Sequence, residues 1–349
     1  AAESETPLGE DDQPALSVIV PVYNDEEGLR QCLGALLASR PAGAEIIVVD
    51  DASTDASAAV AARLPVRLVR LPTNSGPAAA RNTGARCARG DMLLFVDSDV
   101  VLAPGALARA ATLLRRRPDV AAVFGSYDAS PAAAGIVSRY KNLLHHFVHQ
   151  NGAAQASTFW AGCGAIRRSV FEEVGGFDHE RFRRPSIEDI ELGYRLRRAG
   201  HRILLDKALQ GKHLKRWTLR SLLRTDVMSR AIPWSRLIVE SGQPVDDLNV
   251  RRDQRLSAAL VGLALVCLLL APLRPGLIAV AVAALLAVAA LNRRLYAFFA
   301  RQGGLAFAGA CLLLHWLYYL YSTLAYVGVW ASVRLGRAWA RAAGTRRTC

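Results

Sequence analysis

DMLLFVDSD, residues 91–99, runs from one acid through five apolar residues into a D-x-D pair, Asp97-Ser98-Asp99. So short an apolar run, without polar alternation, reads as a strand covered on both faces, the form strands take in sheets sandwiched between helices. Upstream, LSVIVPVY (16–23) and EIIVVD (45–50) repeat the pattern, VRLVRL (66–71) adds a β-branched run broken by Arg67 and Arg70, and VAAVFGSY (120–127) follows. Helix-forming stretches fill the intervals at 25–38, 55–63, 76–88 and 104–116, the last opening on Pro104 in its first turn. The alternation predicts an α/β fold: a Rossmann-like, largely parallel sheet flanked by helices.

Beyond residue 127 the rhythm loosens. Residues 128–212 hold a glycine-rich FWAGCGAIRR segment, an Arg- and Pro-rich loop at 181–185 and a helix opening at IEDIELGYRLRRAG. Residues 215–239 read as an amphipathic helix, with Arg216, Arg220 and Arg224 on one stripe and Leu219, Leu222, Leu223 and Val227 on another. Pro233 should kink it. Apolar runs then occupy 256–272, 276–291 and 305–331 with no polar stripe, so they read as about three transmembrane helices. At about 1.5 Å per residue, the first two barely span a roughly 30 Å core and the third is ample.

Charge supports this division. Of the 43 basic residues in 349, nine arginines lie after Leu256 and no acid does, which leaves 34 basic against 30 acidic residues before it. Arginine flanking apolar runs is the pattern of membrane anchoring, and the near balance upstream argues against a nucleic-acid partner. Six scattered cysteines without a C-x-x-C pair suit a reducing compartment. The expected order is a disordered leader at 1–15, a catalytic domain at 16–214, an interface helix with linker at 215–255, and a membrane anchor with basic tail at 256–349. Arg251, Arg252 and Arg255 place the start of the first span on the cytoplasmic side of the cell (inner) membrane.

Carboxylates recur where strands end: Asp50 and Asp51, then Asp97 and Asp99. In open α/β sheets ligands bind at the carboxyl ends of strands. Two carboxylates at one point suit a hard divalent cation holding a diphosphate, although loop acids also cap helices.

Taken in order, VPVYN (20–24), VVDDASTD (48–55), NSGPAAARNTGA (74–85), FVDSD (95–99), FWAGCGAIRRSVFEEVGGFD (159–178) and IEDIELGYRLRRAG (187–200) resemble the family 2 glycosyltransferases of the GT-A fold. The resemblance covers roughly residues 16–217. It implies a mixed GT-A sheet and an inverting transfer from a nucleotide-sugar donor, with Mg2+ or Mn2+. It implies that Asp51 meets the nucleotide base, that Pro21 and Tyr23 wall the base pocket, and that Arg81 contacts base or diphosphate, with Asn82 beside it. Asp97, with Ser98, lies at the ribose and metal shell, Asp99 is the direct metal ligand, and Asp189 of the Glu188-Asp189 pair is the general base.

His213-Leu214-Lys215-Arg216-Trp217 stands where processive synthases of the family carry Q-x-x-R-W. The resemblance gives His213 to the metal shell, Lys215 or Arg216 to the leaving diphosphate, and Trp217 to the acceptor or the membrane interface. His145, His146 and His149 resemble a metal cluster but lie on a helical stretch without a nearby acid, and Cys163 has no paired base. The leading expectation is therefore a membrane-anchored glycosyltransferase acting on a lipid or lipid-linked glycan, in contact with membrane lipids. The alternatives are a processive polysaccharide synthase, a polyprenyl-phosphate glycosyltransferase, and a non-catalytic sugar-nucleotide-binding scaffold, which should have lost Asp99 or Asp189.

Overall fold

The computed structural model describes residues 15–241 and 251–345, with side chains as far as 335. The leader, part of the 215–255 linker and the last four residues of the basic tail lie outside the described residues. The chain forms two compact units, one from residues up to Ala133 with His149–Lys215, the other from Ala134–Val148 with Arg216 onward. Residues 134–148, expected in the catalytic domain, thus group with the C-terminal part.

In the first unit the strands are β1 (Leu16–Val22), β2 (Glu45–Asp50), β3 (Arg67–Arg70), β4 (Met92–Val96), β5 (Val100–Leu102), β6 (Ala122–Tyr127), β7 (Gln155–Ala156), β8 (Cys163–Arg167) and β9 (Ile203–His213). They form one sheet in the order β3-β2-β1-β4-β8-β6-β9-β5, with β7 also on β9. Strands β3, β2, β1 and β4 are parallel, and β1 and β4, with their nearly unbroken apolar runs, are buried at every position. In the other half β8 runs antiparallel to both β4 and β6, β5 and β7 run antiparallel to β9, and β6 and β9 are parallel, the mixed arrangement that the resemblance implies. The sheet is mixed.

Helices α1 (Glu26–Ala38), α2 (Ser57–Ala62), α3 (Pro77–Cys87), α4 (Ala106–Arg116), α6 (Arg168–Glu173) and α7 (Glu188–Arg198) belong to this unit. Helix α5 (Ile136–Gln150) lies between α4 and α6 in sequence. Asp25 caps α1 by accepting from the Gly28 N–H at 3.2 Å, and Leu29, Leu33 and Leu36 on its inner face join the core of Val18, Val20, Val48 and Leu94. The helix after the D-x-D pair, α4, begins at Gly105 with no side-chain cap, so neither Asp97 nor Asp99 is a helix cap.

In the second unit the expected amphipathic helix starts only at Leu219, where Thr218 and Ser221 form a capping box. It runs as α8 (Leu219–Arg224), a π-helical stretch over Thr225–Ala231, and α9 (Ile232–Ser241). Pro233 therefore follows directly on a wide turn, which accommodates the bond its missing N–H cannot make. Helices α10 (Arg252–Leu270) and α11 (Leu277–Leu291) pack through Ala264, Cys267, Ala281 and Ala284, small residues that let apolar helices approach closely. Helix α12 (Arg293–Thr345) breaks at Gly304, whose φ of 81° is open to glycine and strained for other residues. Two of these helices, Arg252–Leu270 and Arg293–Leu335, are long and apolar enough to cross a membrane; Leu277–Leu291 is shorter.

Candidate active site

The site is built at the carboxyl ends of β1, β2 and β4. There β1 delivers Pro21, buried opposite Val49, and then Tyr23, whose ring is 49% exposed. Asn24 and Ala52, just past the ends of β1 and β2, both take positive φ (50° and 60°), a strained conformation that clusters at functional sites. The Asn24 carboxamide oxygen accepts from the Thr54 N–H at 2.7 Å and so ties the two strand ends together. Asp51 is buried, and its two oxygens accept from the Ser75 and Gly76 N–H groups at 2.7 and 2.8 Å. Burial raises its pKa despite these two bonds. A side chain at Gly76 would strike the Arg183 carbonyl, so the 181–185 loop closes directly over this turn.

Strand β4 ends at Asp97, and the residues beyond it diverge in role. Ser98 donates to Asp25 at 2.7 Å, which fixes the D-x-D turn to the first turn of α1. Asp97 accepts from one terminal nitrogen of Arg81 at 2.7 Å, and Glu188 accepts from the other at 2.9 Å. Arg81 is 5% exposed and lies on the Phe177 ring, 5.5 Å from guanidinium carbon to centroid. Burial alone would lower its pKa, but Asp97 and Glu188 outweigh it and raise it. With both terminal nitrogens on carboxylates, Arg81 is the internal counter-ion of the site. Glu188, whose other oxygen accepts from the Ser186 N–H, is its partner. Asn82 is structural too, clasping the Phe177 backbone through both amide atoms.

Asp189 opens α7 beside Glu188. One oxygen accepts from the Ala161 N–H at 3.2 Å, while the Gly162 carbonyl next along accepts from the Asp97 N–H at 3.4 Å. Asp97, Arg81, Glu188, Asp189 and the 161–162 backbone thus close a ring. Burial first, and then the Glu188 charge, push the Asp189 carboxyl up to about 7 against the pull of Arg81.

Asp99 and His213 meet through the sheet. Strand β5 pairs antiparallel with the end of β9, placing Val100 opposite His213, so that Asp99 lies 3.4 Å from His213 Nε2. Burial would raise the Asp99 carboxyl, but His213 and Lys215 outweigh it and hold it below the usual range. Tyr127 stacks on His213, centroids 4.2 Å apart and planes within 7°. Among the described residues no three His, Cys, Asp or Glu side chains converge as a metal cluster. One carboxylate and one imidazole are nonetheless a donor pair that fits Mn2+ or Mg2+ when diphosphate oxygens and water complete the shell.

Other expected residues are placed elsewhere. Arg216 and Trp217 belong to the second unit. Trp217 is 7% exposed and held through its backbone to the Ser138 hydroxyl. The three histidines do not cluster: His149 bonds the Gly125 carbonyl at 2.9 Å and His146 stacks on Phe298. Cys163 is buried in β8, and burial raises its thiol, which excludes a nucleophile. Tyr127, Asp25 and Phe177 were not anticipated. Each acts by packing or bonding against a site residue distant in sequence, a contact that no local pattern marks.

A family model, "Glycosyl transferase family 2", matches residues 17–175. A pre-mycofactocin glycosyltransferase of Mycobacterium tuberculosis is 32% identical over 218 residues, 59% of this chain and 44% of that protein. The succinoglycan biosynthesis protein ExoO of Rhizobium meliloti is 37% identical over 102 residues, 28% of this chain and 29% of that protein. The chain spans less than half the length of these curated relatives. In fold it resembles a mannosyltransferase of Pyrobaculum calidifontis solved with GDP-Man and Mn2+, with TM-score 0.55 and 20% identity over 90% of this chain and 87% of that one. The mixed sheet with its flanking helices is the GT-A fold.

Proposed function

From the family 2 glycosyl transferase domain that this chain carries over residues 17–175, we propose that it moves a sugar, with inversion, from a nucleotide-sugar donor to a lipid or lipid-linked acceptor at a membrane. The observation that carries the reading is the ring joining Asp97, Arg81, Glu188 and Asp189, set beside the Asp99–His213 pair at the ends of the sheet strands. A similar fold binding GDP-Man and Mn2+ supports the donor class and the cation. Exposed Tyr23 and the Asp51 turn are suited to hold the base, as the resemblance implies.

Asp99 and His213 would hold Mg2+ or Mn2+, which supplies neutralisation of the charge building on the leaving diphosphate. Asp189 accepts the proton of the acceptor hydroxyl as its oxygen bonds the anomeric carbon and the bond to the diphosphate breaks on the opposite side. A carboxyl poised near neutrality accepts that proton far better than an ordinary aspartate does. Arg81 keeps three carboxylates together without spending its charge on solvent, and Lys215 adds positive charge near Asp99.

Membrane anchoring is supported by α10 and α12, by the exposed Leu269, Leu286 and Leu313, and by arginines around the spans. The catalytic domain faces the cytoplasm in this reading. Nucleotide release should be screened with UDP-, GDP- and dTDP-sugars, Mn2+ or Mg2+, and lipid extract. Lipid-dependent release that is lost in Asp99→Ala and in excess EDTA is expected; full activity in EDTA would remove the cation from the mechanism.

A further inference from the structure

The segment from Arg216 to Arg236 separates its charges by burial. Arg216, Arg220, Arg224, Arg230 and Arg236 are exposed, whereas Leu222, Asp226, Ser235 and Leu237 are buried. Asp226 is the single acid before Glu240. Lys141 Nζ lies 2.6 Å from each of its oxygens, and the Tyr321 hydroxyl donates to it at 2.7 Å. Burial would raise this carboxyl, but Lys141 and Arg230 outweigh it and hold it ionised. The segment's negative charge is thus taken up from within by a lysine of α5. Of the five arginines only Arg230 reaches back to it, at 3.5 Å. Outward there remain cations interspersed with exposed apolar side chains, Leu219 at 46% and Met228 at 63%.

We propose that this outward face is a docking surface for anionic phospholipid headgroups of the bilayer. The inference rests on the membrane reading above and adds the charge class of the lipid. Cations interleaved with exposed apolar groups fit a surface that is anionic at its top and apolar just beneath, as an anionic leaflet is. Chain continuity agrees, since α10, long and apolar enough to cross a membrane, begins at Arg252, soon after this segment. Each cation near an anionic leaflet favours binding by about fivefold, so several together make a strong and salt-sensitive selection.

The test uses the full chain reconstituted in phosphatidylcholine vesicles with a trace of pyrene-labelled phosphatidylglycerol or pyrene-labelled phosphatidylcholine. Tryptophan-to-pyrene energy transfer reports which lipid surrounds the protein. Enrichment of the anionic probe by roughly fivefold or more is expected at low salt, falling toward unity in about 0.5 M salt, a measurement that needs no variant. The combined variant Arg220→Gln, Arg224→Gln and Arg236→Gln, which leaves the Arg230–Asp226 pair in place, should abolish the enrichment while nucleotide binding by the first unit is retained. Equal transfer from both probes, or enrichment unchanged in the variant, overturns the proposal. Competition by millimolar inorganic phosphate also overturns it, in favour of a soluble-phosphate site. Enrichment that persists in a protein releasing no nucleotide would support the surface while overturning the reaction assigned above, so the two failures are distinguishable.

Discussion

Asp189 and Glu188 are neighbours in sequence with opposite tasks, and the difference comes from what each touches. Glu188 spends its charge on Arg81, whereas half-buried Asp189 accepts from backbone N–H groups, and desolvation together with the Glu188 charge raises its carboxyl to about 7. If Asp189 is the base, kcat/KM should rise with pH through about 7. Glu188→Gln removes a like charge and should move that limb to lower pH, even if turnover falls; a limb that stays in place would separate Glu188 from the base. Asp189→Asn should collapse turnover and leave nucleotide affinity nearly unchanged. The sign of its stability effect follows from linkage. A carboxyl raised in the folded state binds more protons there than in the unfolded chain, so it costs stability as pH rises from about 4 through about 7. The neutral isostere should therefore be more stable at pH 8 by about 1 kcal/mol or more, read as a rise of roughly 2–4 °C in Tm.

Two elements show how short-range and long-range information part. The apolar runs at β1, β2 and β4 are legible because a strand buried on both faces has no other pattern to show. Strand β9 is eleven residues long yet was not anticipated, because Asp, Lys, Gln and Gly break its propensity. Its period of two, Ile203, Leu205, then Leu209, Gly211, His213, is interrupted where the register with β6 shifts. In the second unit, the Asp226–Lys141–Tyr321 bonds join α5, the π-helical stretch and α12. Asp226→Asn leaves Lys141 buried without its counter-charge, and should cost about 3 kcal/mol, measured as earlier thermal unfolding in detergent. The same variant should leave nucleotide binding by the first unit intact.

At the scale of the whole molecule the chain couples a GT-A unit to a helical one, and the topology of the latter is open to experiment. Among its helices, Asn292 donates to the Ser257 hydroxyl at 3.0 Å, and the Tyr319 hydroxyl bonds Gln254 and Asn292 at 2.8 and 3.1 Å. Such polar pairs between apolar helices hold a bundle where the hydrophobic effect is weak. Arg251 at the N-cap of α10, Arg252 and Arg255 in its first turn, and Arg293 and Arg294 after α11 would be accommodated together by a hairpin that enters from and returns to the cytoplasm. A full crossing by α12 would then export Arg334, Arg337, Arg341, Arg346 and Arg347, so we expect the tail to remain cytoplasmic. An impermeant thiol reagent applied to intact spheroplasts should leave Cys349 unmodified, and labelling there would place the tail outside.

The sequence by itself determined the parallel half of the sheet, the helices between its strands, the apolar C-terminal helices and the carboxylates at the strand ends. Those features are local: burial on two faces, capping and length each leave a mark within about a dozen residues. Only the tertiary structure decided that Arg81 faces two carboxylates, which strands run antiparallel, and that Trp217 is buried. These depend on the pairing of β5 with β9 and of β8 with β4 and β6, and on contacts between side chains about a hundred residues apart. No local propensity records such contacts, because their energy exists only once the sheet has closed.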